Sequence, residues 1–456
     1  EAADSLLREL NRSGLWYAVA LVDEGVNKAG RRLRGLPVFG PLAKVSEVAE
    51  KYGAKHVVMA LPDAKPAIRR RATELATAAG LTVMTMPSYD DLLAGRLSVS
   101  HIRRVELEDL LGREAISLNT AGLHELMTNR VVLVSGAGGS IGAELCRQIA
   151  LFSALRLVLL DSSEFALYQV NEELSVKFPG LVRSCWAADI RDQARVEEIL
   201  VAEQPAVIFH AAAYKHVPLM EDVNAWQAVR TNALGTLTLA EAALHAKVDK
   251  FVLISTDKAV NPTNVMGASK RLAERLCRVI QLGGKTRFVT VRFGNVLGSN
   301  GSVIPKFREQ ILRGGPLTVT HPDIVRYFMT IPEAAQLVLQ AGFMGQGGEI
   351  FVLDMGEPVK IVDLAKDMIR LSGFSEDDIR IEFTGLRPGE KLYEELLAND
   401  ETTVQTPHPK LRIAKLSDSM STAEFDELLN WLRPSVRQAD DVKAGLKHFV
   451  PEYSTN

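Results

Sequence analysis

The sequence predicts an α/β protein: a Rossmann-type, doubly wound parallel sheet with a smaller lobe, preceded by a small Rossmann-like α/β domain. Three observations predict this fold class. Short apolar runs alternate with helical stretches along most of the 456 residues. One run, Val131–Val134, leads into three regularly spaced glycines, and another, Phe251–Ile254, ends in four consecutive polar residues. Short apolar runs bounded in this way are typical of buried parallel strands.

The composition narrows the range of partners. Charged residues make up 24% of the chain and the formal net charge is −3, which gives no indication of a nucleic-acid-binding protein. The basic cluster Arg69–Arg71 is short and is better explained as a solvated helix face. Cys146, Cys185 and Cys277 lack metal-ligand spacing, so we expect no metal site and a reducing compartment. No run reaches the roughly 18 apolar residues that a membrane-spanning helix needs.

Residues 1–100 are predicted to form the small α/β domain. Five segments alternate between strand and helix patterns: strands Trp16–Val22, His56–Leu61 and Leu81–Met86, and helices Val45–Tyr52 and Lys65–Ala79. No intact phosphate loop follows the opening strand, so a docking or spacer role is favoured over nucleotide binding. Residues 101–130 are predicted to be a polar, partly helical connector.

The main domain is predicted over residues 131–400, and its first strand leads into a phosphate-binding loop. Gly136, Gly139 and Gly142 follow that strand at G-x-x-G-x-x-G spacing and open an amphipathic helix. Without Cβ atoms the backbone turns tightly and approaches a pyrophosphate, which binds amide N–H groups at the positive end of the helix. Asp161 ends the next strand, where a carboxylate accepts hydrogen bonds from a ribose diol and repels a 2′-phosphate. The pattern predicts a dinucleotide site and favours NAD over NADP.

Further strands end in residues that suit the same site. The third strand ends at Asp189 and Ile190, and the fourth, Val207–His210, is followed by the small residues Ala211 and Ala212. Small side chains let the backbone run beneath a cofactor.

Polar residues at the end of the Phe251–Ile254 strand mark the ligand crevice of a doubly wound sheet. The strand runs directly into Ser255-Thr256-Asp257-Lys258. After a loop, Met266 and Lys270 open a helix four residues apart, and so lie on one face of it.

These residues resemble the short-chain dehydrogenase/reductase superfamily in its extended, nucleotide-sugar-modifying branch. That family has Ser or Thr at the end of this strand and Tyr-x-x-x-Lys at the head of the next helix. Here Met266 stands at the tyrosine position and Lys270 is retained. Either the site is silent, or proton transfer has moved to Thr256, Asp257 and Lys258. The second alternative resembles the bacterial UDP-N-acetylglucosamine 4,6-dehydratases of the polysaccharide-biosynthesis type, which carry Thr-Asp-Lys here and Met in place of Tyr.

The resemblance implies roles for these residues. The catalytic positions are Thr256, Asp257, Lys258, Met266 and Lys270. The cofactor-binding positions lie at strand ends and at the head of the catalytic helix: Gly136, Gly139, Ser140, Ile141, Gly142, Asp161, Asp189, Ile190, Ala211, Ala212 and Lys270.

The smaller lobe resembles the substrate-binding half of the family. Guanidinium groups suit phosphates because their fork donates two parallel, charge-assisted hydrogen bonds, although each arginine alone also fits an ordinary ion pair. Together they favour a UDP-sugar or another nucleotide-diphosphate sugar. A single histidine after a strand is more often structural than catalytic, so a substrate contact of His216 is the less favoured alternative. The predicted substrate-binding residues are Lys215, His216, Arg292, Asn295, Arg326, Arg387 and Glu390.

The resemblance implies a redox-neutral elimination with NAD as the cofactor. Hydride moves from sugar C4 to the nicotinamide, the ketone acidifies C5–H, the C6 hydroxyl leaves as water, and hydride returns to C6 with the C5 configuration retained. Asp257 as acid needs a raised pKa and Lys258 as base a lowered pKa, and burial shifts each in that direction. A close Asp–Lys pair counters both shifts, so we expect the side chains to diverge or to titrate as a coupled unit. The group that takes the C4 hydroxyl proton stays open.

Two rival functions stay open. A nucleotide-sugar epimerase shares the cofactor and substrate class, but it needs no acid at C6, which the Thr-Asp-Lys sequence would supply. A silent cofactor-binding regulator fits Met266, but not the retained Asp257, Lys258 and Lys270.

The remaining expectations concern assembly and location. Members of the resembled subfamily carry transmembrane helices upstream, and this chain begins with Glu1 rather than Met. The resemblance therefore implies a full-length protein anchored at the cytoplasmic face of the bacterial inner membrane and active in surface-polysaccharide biosynthesis, and we expect a homo-oligomer. Residues 401–456 are predicted to be a helical tail, with a helix over Thr422–Leu432, packing on the body or on a neighbour.

Overall fold

The chain divides into two compact units. The first comprises Glu1–Ala115, Phe307–Thr318 and Asp363–Glu382, and the second Ile116–Lys306, Val319–Val362 and Phe383–Asn456. The structure is a computed structural model, and it describes residues 2–14, 16–25, 27–61, 64, 66–85, 102–110, 116, 118–397, 402–415 and 420–454.

The first unit contains two three-stranded sheets among its described residues. Its N-terminal elements are α1 (Ala2–Ser13), β1 (Leu21–Val22), β2 (Arg32–Leu33), β3 (Leu36–Phe39), α2 (Val45–Tyr52), β4 (His56–Met59), α3 (Pro66–Ala78), β5 (Thr82–Thr85), β6 (Arg103–Arg104) and α4 (Leu107–Leu110). In each sheet two strands run parallel, β1 with β3 and β4 with β5, and a third strand pairs antiparallel.

The predicted elements of this region are found, with one clear difference. Helix α2 has the predicted bounds, and α3, β4 and β5 lie within their predicted segments. The strand predicted over Trp16–Val22 is wrong in length, because the parallel ladder with β3 pairs only Leu21 and Val22. Residues 86–100, including the end of the third predicted strand, lie outside the described residues.

The 363–382 segment joins this unit through side-chain contacts, although it is remote in sequence. It carries most of helix α15 (Ile361–Leu371). Arg70 Nε lies 2.8 Å from Asp367 Oδ2, whose side chain is only 5% exposed. Leu371 packs against the buried cluster that contains Val45 and Met59. A buried carboxylate needs a charged partner, so Arg70 stabilises this contact.

The second unit is built on a nine-stranded sheet in the described part of the chain. The sheet strands are β7 (Val131–Ser135), β8 (Arg156–Asp161), β9 (Arg183–Ala187), β10 (Val207–His210), β11 (Lys250–Ile254), β12 (Arg287–Arg292), β17 (Ile350–Leu353), β20 (Thr402–Gln405) and β21 (Leu411–Lys415). The shorter strands of this unit are β13 (Asn295–Val296), β15 (Val325–Arg326), β16 (Phe328–Met329) and β18 (Val359–Lys360), whereas most residues of β14 (Leu317–Val319) and β19 (Ile381–Phe383) belong to the first unit.

Helices connect these strands. They are α5 (Thr120–Met127), α6 (Ser140–Ile149), α7 (Glu164–Lys177), α8 (Gln193–Glu203), α9 (Val217–Met220), α10 (Ala225–Val229), α11 (Gly235–His245), α12 (Val265–Gln281), α14 (Ile331–Met344), α16 (Thr422–Leu432) and α17 (Ala439–Phe449), whereas α13 (Val303–Leu312) begins in this unit and lies mostly in the first. Among the helices described, none combines the length and apolar character that crossing a bilayer requires.

The strand order confirms the predicted doubly wound fold. The order is β20-β21-β17-β12-β11-β10-β7-β8-β9, and the seven strands from β17 to β9 run parallel. The chain order reverses between β7 and β10, so their carboxyl ends border the crevice where such sheets bind ligands. Strands β10 and β11 are buried along their whole length, as their unbroken apolar runs predict. At the start of β11, the ammonium of Lys250 donates hydrogen bonds to the carbonyls of Phe343 and Gly345, at the end of α14.

The C-terminal region differs in part from the predicted helical tail. Helix α16 has the predicted bounds. Residues 402–415 instead form β20 and β21, an antiparallel pair that extends the main sheet beside β17. The helical part packs on the body of the unit: Trp431 contacts Trp226 edge-on with ring centroids 5.2 Å apart, and Leu446 and Tyr453 are fully buried.

Candidate active site

The glycine loop after β7 forms a cradle that only glycine permits. Gly136 adopts a φ of +69°, and a Cβ there would lie 2.5 Å from the backbone nitrogen of Ala212, which follows β10. A Cβ on Gly142 would lie 2.0 Å from the Gly136 carbonyl oxygen. Helix α6 begins directly after Gly139, so its first amides face the loop. These residues fit the pyrophosphate of a dinucleotide.

Ser140 and Ile141 are the first two residues of α6. Ser140 also forms a hydrogen bond with the loop that contains Asn300. Its Oγ accepts a hydrogen bond of 3.1 Å from the amide of Asn300. On the other side of the glycine loop, Ala211 donates its amide to the Ser135 carbonyl. The cradle is therefore bound to the chain segments on both sides of it.

Asp161 lies at the end of β8, as predicted, with its carboxylate turned to the glycine loop. Oδ2 accepts a hydrogen bond of 2.9 Å from the Gly138 amide, and Oδ1 accepts one of 2.9 Å from the Ser163 amide. Each oxygen retains a lone pair for a ribose hydroxyl. A phosphate at this point would face a fixed negative charge.

Asp189 and Ile190 follow β9, and their side chains have protein partners. The Asp189 carboxylate binds the Arg191 guanidinium through contacts of 2.5 to 2.9 Å. This hydrogen-bonded pairing with Arg191 lowers the pKa of Asp189. Ile190 is buried in the core, where a Cβ on Gly235 would lie 2.6 Å from its Cδ1. Its side chain therefore serves packing, and its predicted contact with a cofactor stays a prediction for the backbone.

A buried histidine, not predicted as a site residue, joins β7 and β10 beneath the crevice. His210 contacts Ser135 Oγ through Nδ1 at 2.6 Å and Thr236 Oγ1 through Nε2 at 2.9 Å. Burial, with a smaller contribution from Lys270, lowers the pKa of His210 to about 3. The ring is therefore neutral at physiological pH and acts as a structural tie.

The Thr256, Asp257 and Lys258 side chains form one hydrogen-bonded cluster after β11. Thr256 donates to Asp257 Oδ1 at 2.8 Å, and Lys258 Nζ donates to the same oxygen at 3.0 Å. Lys258 also donates to Asn295 Oδ1 at 3.0 Å. Asp257 is 1% exposed, and no described residue forms a hydrogen bond with its other oxygen, Oδ2. A buried carboxylate oxygen without a partner is rare and points to a ligand or a proton.

The charge state of Lys258 differs from the prediction. Burial lowers the pKa of Lys258, but Asp257 and Glu394 outweigh it and the net shift is upward. The prediction of a lowered pKa is therefore wrong, because Asp257 and Lys258 lie in contact instead of diverging. The second expectation, that the two groups titrate as a coupled unit, agrees with their 3.0 Å contact.

Helix α12 is placed against this cluster by its first turn. Asn264 caps it and accepts a hydrogen bond of 2.8 Å from the Gly267 amide. A Cβ on Gly267 would lie 2.1 Å from the Lys258 carbonyl oxygen, so only glycine allows this approach. Met266 is 3% exposed and packs in the hydrophobic core. It has no proton to transfer, as the sequence indicates.

Lys270 lies one turn further along α12, beneath β11. Its Nζ donates a hydrogen bond of 2.6 Å to the Ile254 carbonyl, and the residue is 5% exposed. Burial lowers the pKa of Lys270 to about 8, although the negative charge of Glu274 opposes that shift. The ammonium is thus held at the end of the strand that carries the Thr-Asp-Lys cluster.

The prediction that Arg292 binds substrate is contradicted by its burial. Arg292 is 1% exposed and forms a bidentate ion pair with Glu274, at 2.8 and 2.7 Å. Glu274 also accepts a hydrogen bond of 2.6 Å from Ser255. Because Arg292 ends β12 inside the fold, its guanidinium stabilises α12 and is not available to a phosphate.

Three further predicted substrate residues lie after β10 and in β13. Lys215 and His216 are exposed after β10, and the His216 ring covers Gly301, where a Cβ would lie 2.4 Å from it. Burial and the neighbouring Lys215 lower the pKa of His216. Asn295 contacts the cluster directly through Lys258. The structure therefore brings Asn295 to the Thr256-Asp257-Lys258 cluster and gives His216 a packing contact.

The remaining predicted substrate residues lie in two chain segments that contact each other. Arg326 belongs to one segment, and Arg387 and Glu390 belong to the other. Arg326 Nη2 lies 3.6 Å from Glu390 Oε1, and its Nη1 donates to the Val325 and Leu392 carbonyls. The Arg387 side chain is exposed, and its amide donates to Glu390. Their phosphate-binding roles stay predictions.

Sequence reasoning missed two charged residues here. Glu394 lies 3.8 Å from Lys258 Nζ and 3.7 Å from Arg326 Nη2. Lys306 lies near Arg387, and burial together with that positive charge lowers the pKa of Lys306. Spacing alone gave no signal for Glu394, because the segment that carries it is irregular. Within the described residues, no group of three or more His, Cys, Asp or Glu side chains is arranged to hold a metal ion.

Comparison with known proteins defines the family. A family model described as "Polysaccharide biosynthesis protein" matches residues 132–416, more than half of the chain. The chain is 47% identical over 422 residues to the capsular polysaccharide biosynthesis protein CapD of Staphylococcus aureus, an alignment that covers 91% of this chain and 70% of CapD. The chain belongs to the polysaccharide biosynthesis protein family.

The chain is also similar to two further proteins. The UDP-glucose 4-epimerase of Rickettsia massiliae is 32% identical over 283 residues, covering 60% of this chain and 80% of the epimerase. The X-ray structure of Pen from Bacillus thuringiensis superposes with a TM-score of 0.58 at 33% identity, covering 67% of this chain and 98% of Pen.

Proposed function

We propose that the protein catalyses the NAD-dependent 4,6-dehydration of UDP-N-acetylglucosamine to a 4-keto-6-deoxy sugar nucleotide for surface-polysaccharide biosynthesis. One observation carries the proposal: the buried Thr256-Asp257-Lys258 cluster, with Asp257 Oδ2 left without a hydrogen bond from the described residues. It lies after β11, at the edge of the sheet where the glycine loop follows β7. Membership of the polysaccharide biosynthesis family supports the pathway.

The residues present fit NAD, which when bound would accept a hydride from C4 and return it to C6. The glycine cradle would hold the pyrophosphate, and Asp161 the adenosine ribose. The Asp161 carboxylate favours NAD over NADP because it repels a 2′-phosphate. Lys270, fixed on the Ile254 carbonyl, would place a positive charge near the nicotinamide ribose.

The Asp257–Lys258 pair supplies the acid and the base. In its reactive form the shared proton lies on Asp257, and Lys258 is neutral. Lys258 then takes the proton from C5, while Asp257 donates its proton to the C6 oxygen as the C6–O bond breaks and water leaves. The proton lost by the C4 hydroxyl balances the one that Asp257 gives, and Lys258 returns its proton to C5.

A product assay tests the proposal directly. UDP-N-acetylglucosamine incubated with the protein is expected to yield a species lighter by one water, measured by mass spectrometry. An isomer of unchanged mass would instead establish an epimerase, the second candidate, which the 32% identity to a UDP-glucose 4-epimerase favours. No conversion would leave a silent cofactor-binding protein.

We expect the C5 configuration of the product to be retained. Met266 brings no proton carrier to the sugar, so Lys258 is the evident group for both removal and return of the C5 proton. One group acting on one face gives retention, and the expected product has the D-xylo configuration. Proton NMR of the fresh product decides this before slow non-enzymatic epimerisation, and an initial L-arabino product would contradict the single-base role of Lys258.

We also expect NAD(H) to copurify with the protein, because a cofactor that is reduced and reoxidised in each turnover need not leave. Gly136→Ala should abolish this retention, since φ is +69° and the new Cβ would lie 2.5 Å from the Ala212 nitrogen. Gly180→Ala is the matched control, because its Cβ would meet no atom within 4 Å. Chromatography of the denatured protein identifies the nucleotide, and NADP(H) alone would refute the assignment.

A further inference from the structure

Glu394 is a buried carboxylate placed between two cations of the site. Its side chain is 5% exposed, and the same oxygen, Oε1, lies 3.8 Å from Lys258 Nζ and 3.7 Å from Arg326 Nη2. Both distances are longer than a hydrogen bond, so Glu394 acts on these groups through its charge. In the described part of the chain it accepts no hydrogen bond.

The surroundings of Lys258 are balanced in charge. Asp257 lies 3.0 Å from its ammonium and Glu394 lies 3.8 Å from it. Arg326 lies 3.7 Å from the same Glu394 oxygen, and Asn295 contributes an uncharged oxygen at 3.0 Å from the ammonium. Among the described residues, Asp257 of the same turn, Asn295 of β13 and Glu394 after Glu390 contact the Lys258 ammonium, and Arg326 of β15 acts on it through its charge. All lie in poorly solvated positions, where a charge acts more strongly than in water.

We propose that Glu394 is a positioning residue of the reaction: its carboxylate holds Lys258 between Asp257 and Asn295 and stabilises the positive charge that Lys258 gains when it takes the C5 proton. This inference rests on the proposed function. As the C5–H bond breaks, an N–H bond forms on Lys258 and its nitrogen becomes an ammonium. A fixed negative charge nearby lowers the energy of that state.

The same charge determines the pH range in which Lys258 is neutral. Asp257 and Glu394 raise the pKa of Lys258 against the effect of burial. Removal of the Glu394 charge therefore lowers this pKa, and the Lys258 base is then free at lower pH. The acidic limb of the turnover profile, where activity is lost because Lys258 becomes protonated, should move to lower pH by about one unit.

The decisive variant is Glu394→Gln, which keeps the shape and removes the charge. We expect turnover to fall about tenfold or more at the optimum, because the ammonium formed on Lys258 loses its stabilising charge. Arg326 keeps Glu390 and two carbonyl partners, so its place in the fold is maintained. Glu394→Asp retains the carboxylate and should keep the wild-type pH profile.

Glu395→Gln is the matched control. Glu395 is the next residue in sequence, but its side chain is 43% exposed and pairs with Lys391 at 2.9 Å. The amide oxygen of glutamine still accepts the hydrogen bond from Asn261. We expect both turnover and its pH dependence to be unchanged in this variant.

A second readout measures Lys258 without any catalytic turnover. The rate of acetylation of Lys258 by acetic anhydride, followed by peptide mass spectrometry across pH, reports the fraction of neutral amine. In Glu394→Gln the midpoint should move down by about one pH unit, while the exposed Lys285 serves as the internal reference. If the single variant fails to fold, Glu394→Gln with Arg326→Gln removes one anion and one cation and should show a smaller shift in the same direction.

The two readouts separate the inference from the proposed function. If the acetylation midpoint of Lys258 shifts in Glu394→Gln but the protein does not dehydrate the sugar, the effect of Glu394 on Lys258 is supported and the dehydratase function is rejected. Dehydration with an unshifted midpoint and an unshifted pH profile in Glu394→Gln overturns the positioning role and leaves the dehydratase intact. An equal loss of turnover at every pH also overturns it, because a purely structural role would act in that way.

Discussion

Asp257→Asn is expected to lower the turnover of UDP-N-acetylglucosamine dehydration by about two to four orders of magnitude, the usual contribution of a positioned general acid. Asparagine keeps an oxygen for the bonds from Thr256 and Lys258, so the cluster should persist. It has no acidic proton for the leaving C6 hydroxyl. The loss should therefore appear in kcat, measured by mass spectrometry of the product, while the retention of NAD(H) stays at the wild-type level.

Lys258→Ala should cause a loss of similar size, because it removes the base that takes the C5 proton. Met266→Leu is the contrasting variant: Met266 is 3% exposed in the core, and leucine conserves its volume. Turnover within a few-fold of wild type is expected there. A large gain for Met266→Tyr, together with full activity of Lys258→Ala, would show that the acid and base are assigned to the wrong residues.

Much of the second unit could be predicted from the sequence, because its signals are local. Apolar runs such as Phe251–Ile254 correspond to strands buried on both faces, and the observed β11 begins only one residue earlier. Gly136 and Asp161 lie where their spacing places them, one after β7 and the other at the end of β8. A period-2 or unbroken apolar pattern indicates burial directly, so these strands can be predicted without knowledge of the tertiary structure.

The errors have a physical cause in common: the three-dimensional contacts of a charged side chain, including contacts with residues remote in sequence, decide its role. Arg292 ends β12 and opens a motif that resembles a substrate-binding segment. Its side chain nevertheless pairs with Glu274 inside the fold. The pKa of Lys258 is raised first by its neighbour Asp257 and then by Glu394, which lies 136 residues further along the chain (394 − 258). No spacing rule contains such pairs.

The C-terminal residues show how remote contacts also place the catalytic helix. Glu452 pairs with Arg271 of α12 at 2.5 Å, and the Ser454 amide donates to the Pro262 carbonyl at 3.0 Å. Lys443 lies 3.7 Å from Glu221, whose other oxygen accepts the first amide of the helix, that of Val265. The tail thus contacts both the loop before α12 and its first turn, where Met266 lies, and Lys270 follows one turn later.

Arg292→Ala is expected to destabilise the protein by about 3–5 kcal/mol, the usual cost of leaving a buried charge without its partner. Glu274 is 2% exposed and would lose its bidentate ion pair, keeping Arg271 and Ser255 among the described residues. The measurement is the free energy of unfolding in urea, followed by tryptophan fluorescence. Arg313→Ala is the matched control, because Arg313 also pairs with a glutamate but is 73% exposed, and a change of at most about 0.5 kcal/mol is expected.

A double variant separates the structural role of Arg292 from a role in substrate binding. Arg292→Met with Glu274→Gln removes both buried charges and keeps an acceptor for Ser255, so most of the lost stability should return. The affinity for UDP, measured by calorimetry on this folded variant, should then match wild type, because the guanidinium never faced the ligand. Wild-type stability of Arg292→Ala together with a large loss of UDP affinity would restore Arg292 to the substrate site, and the buried Glu274 pair would no longer explain its place at the end of β12.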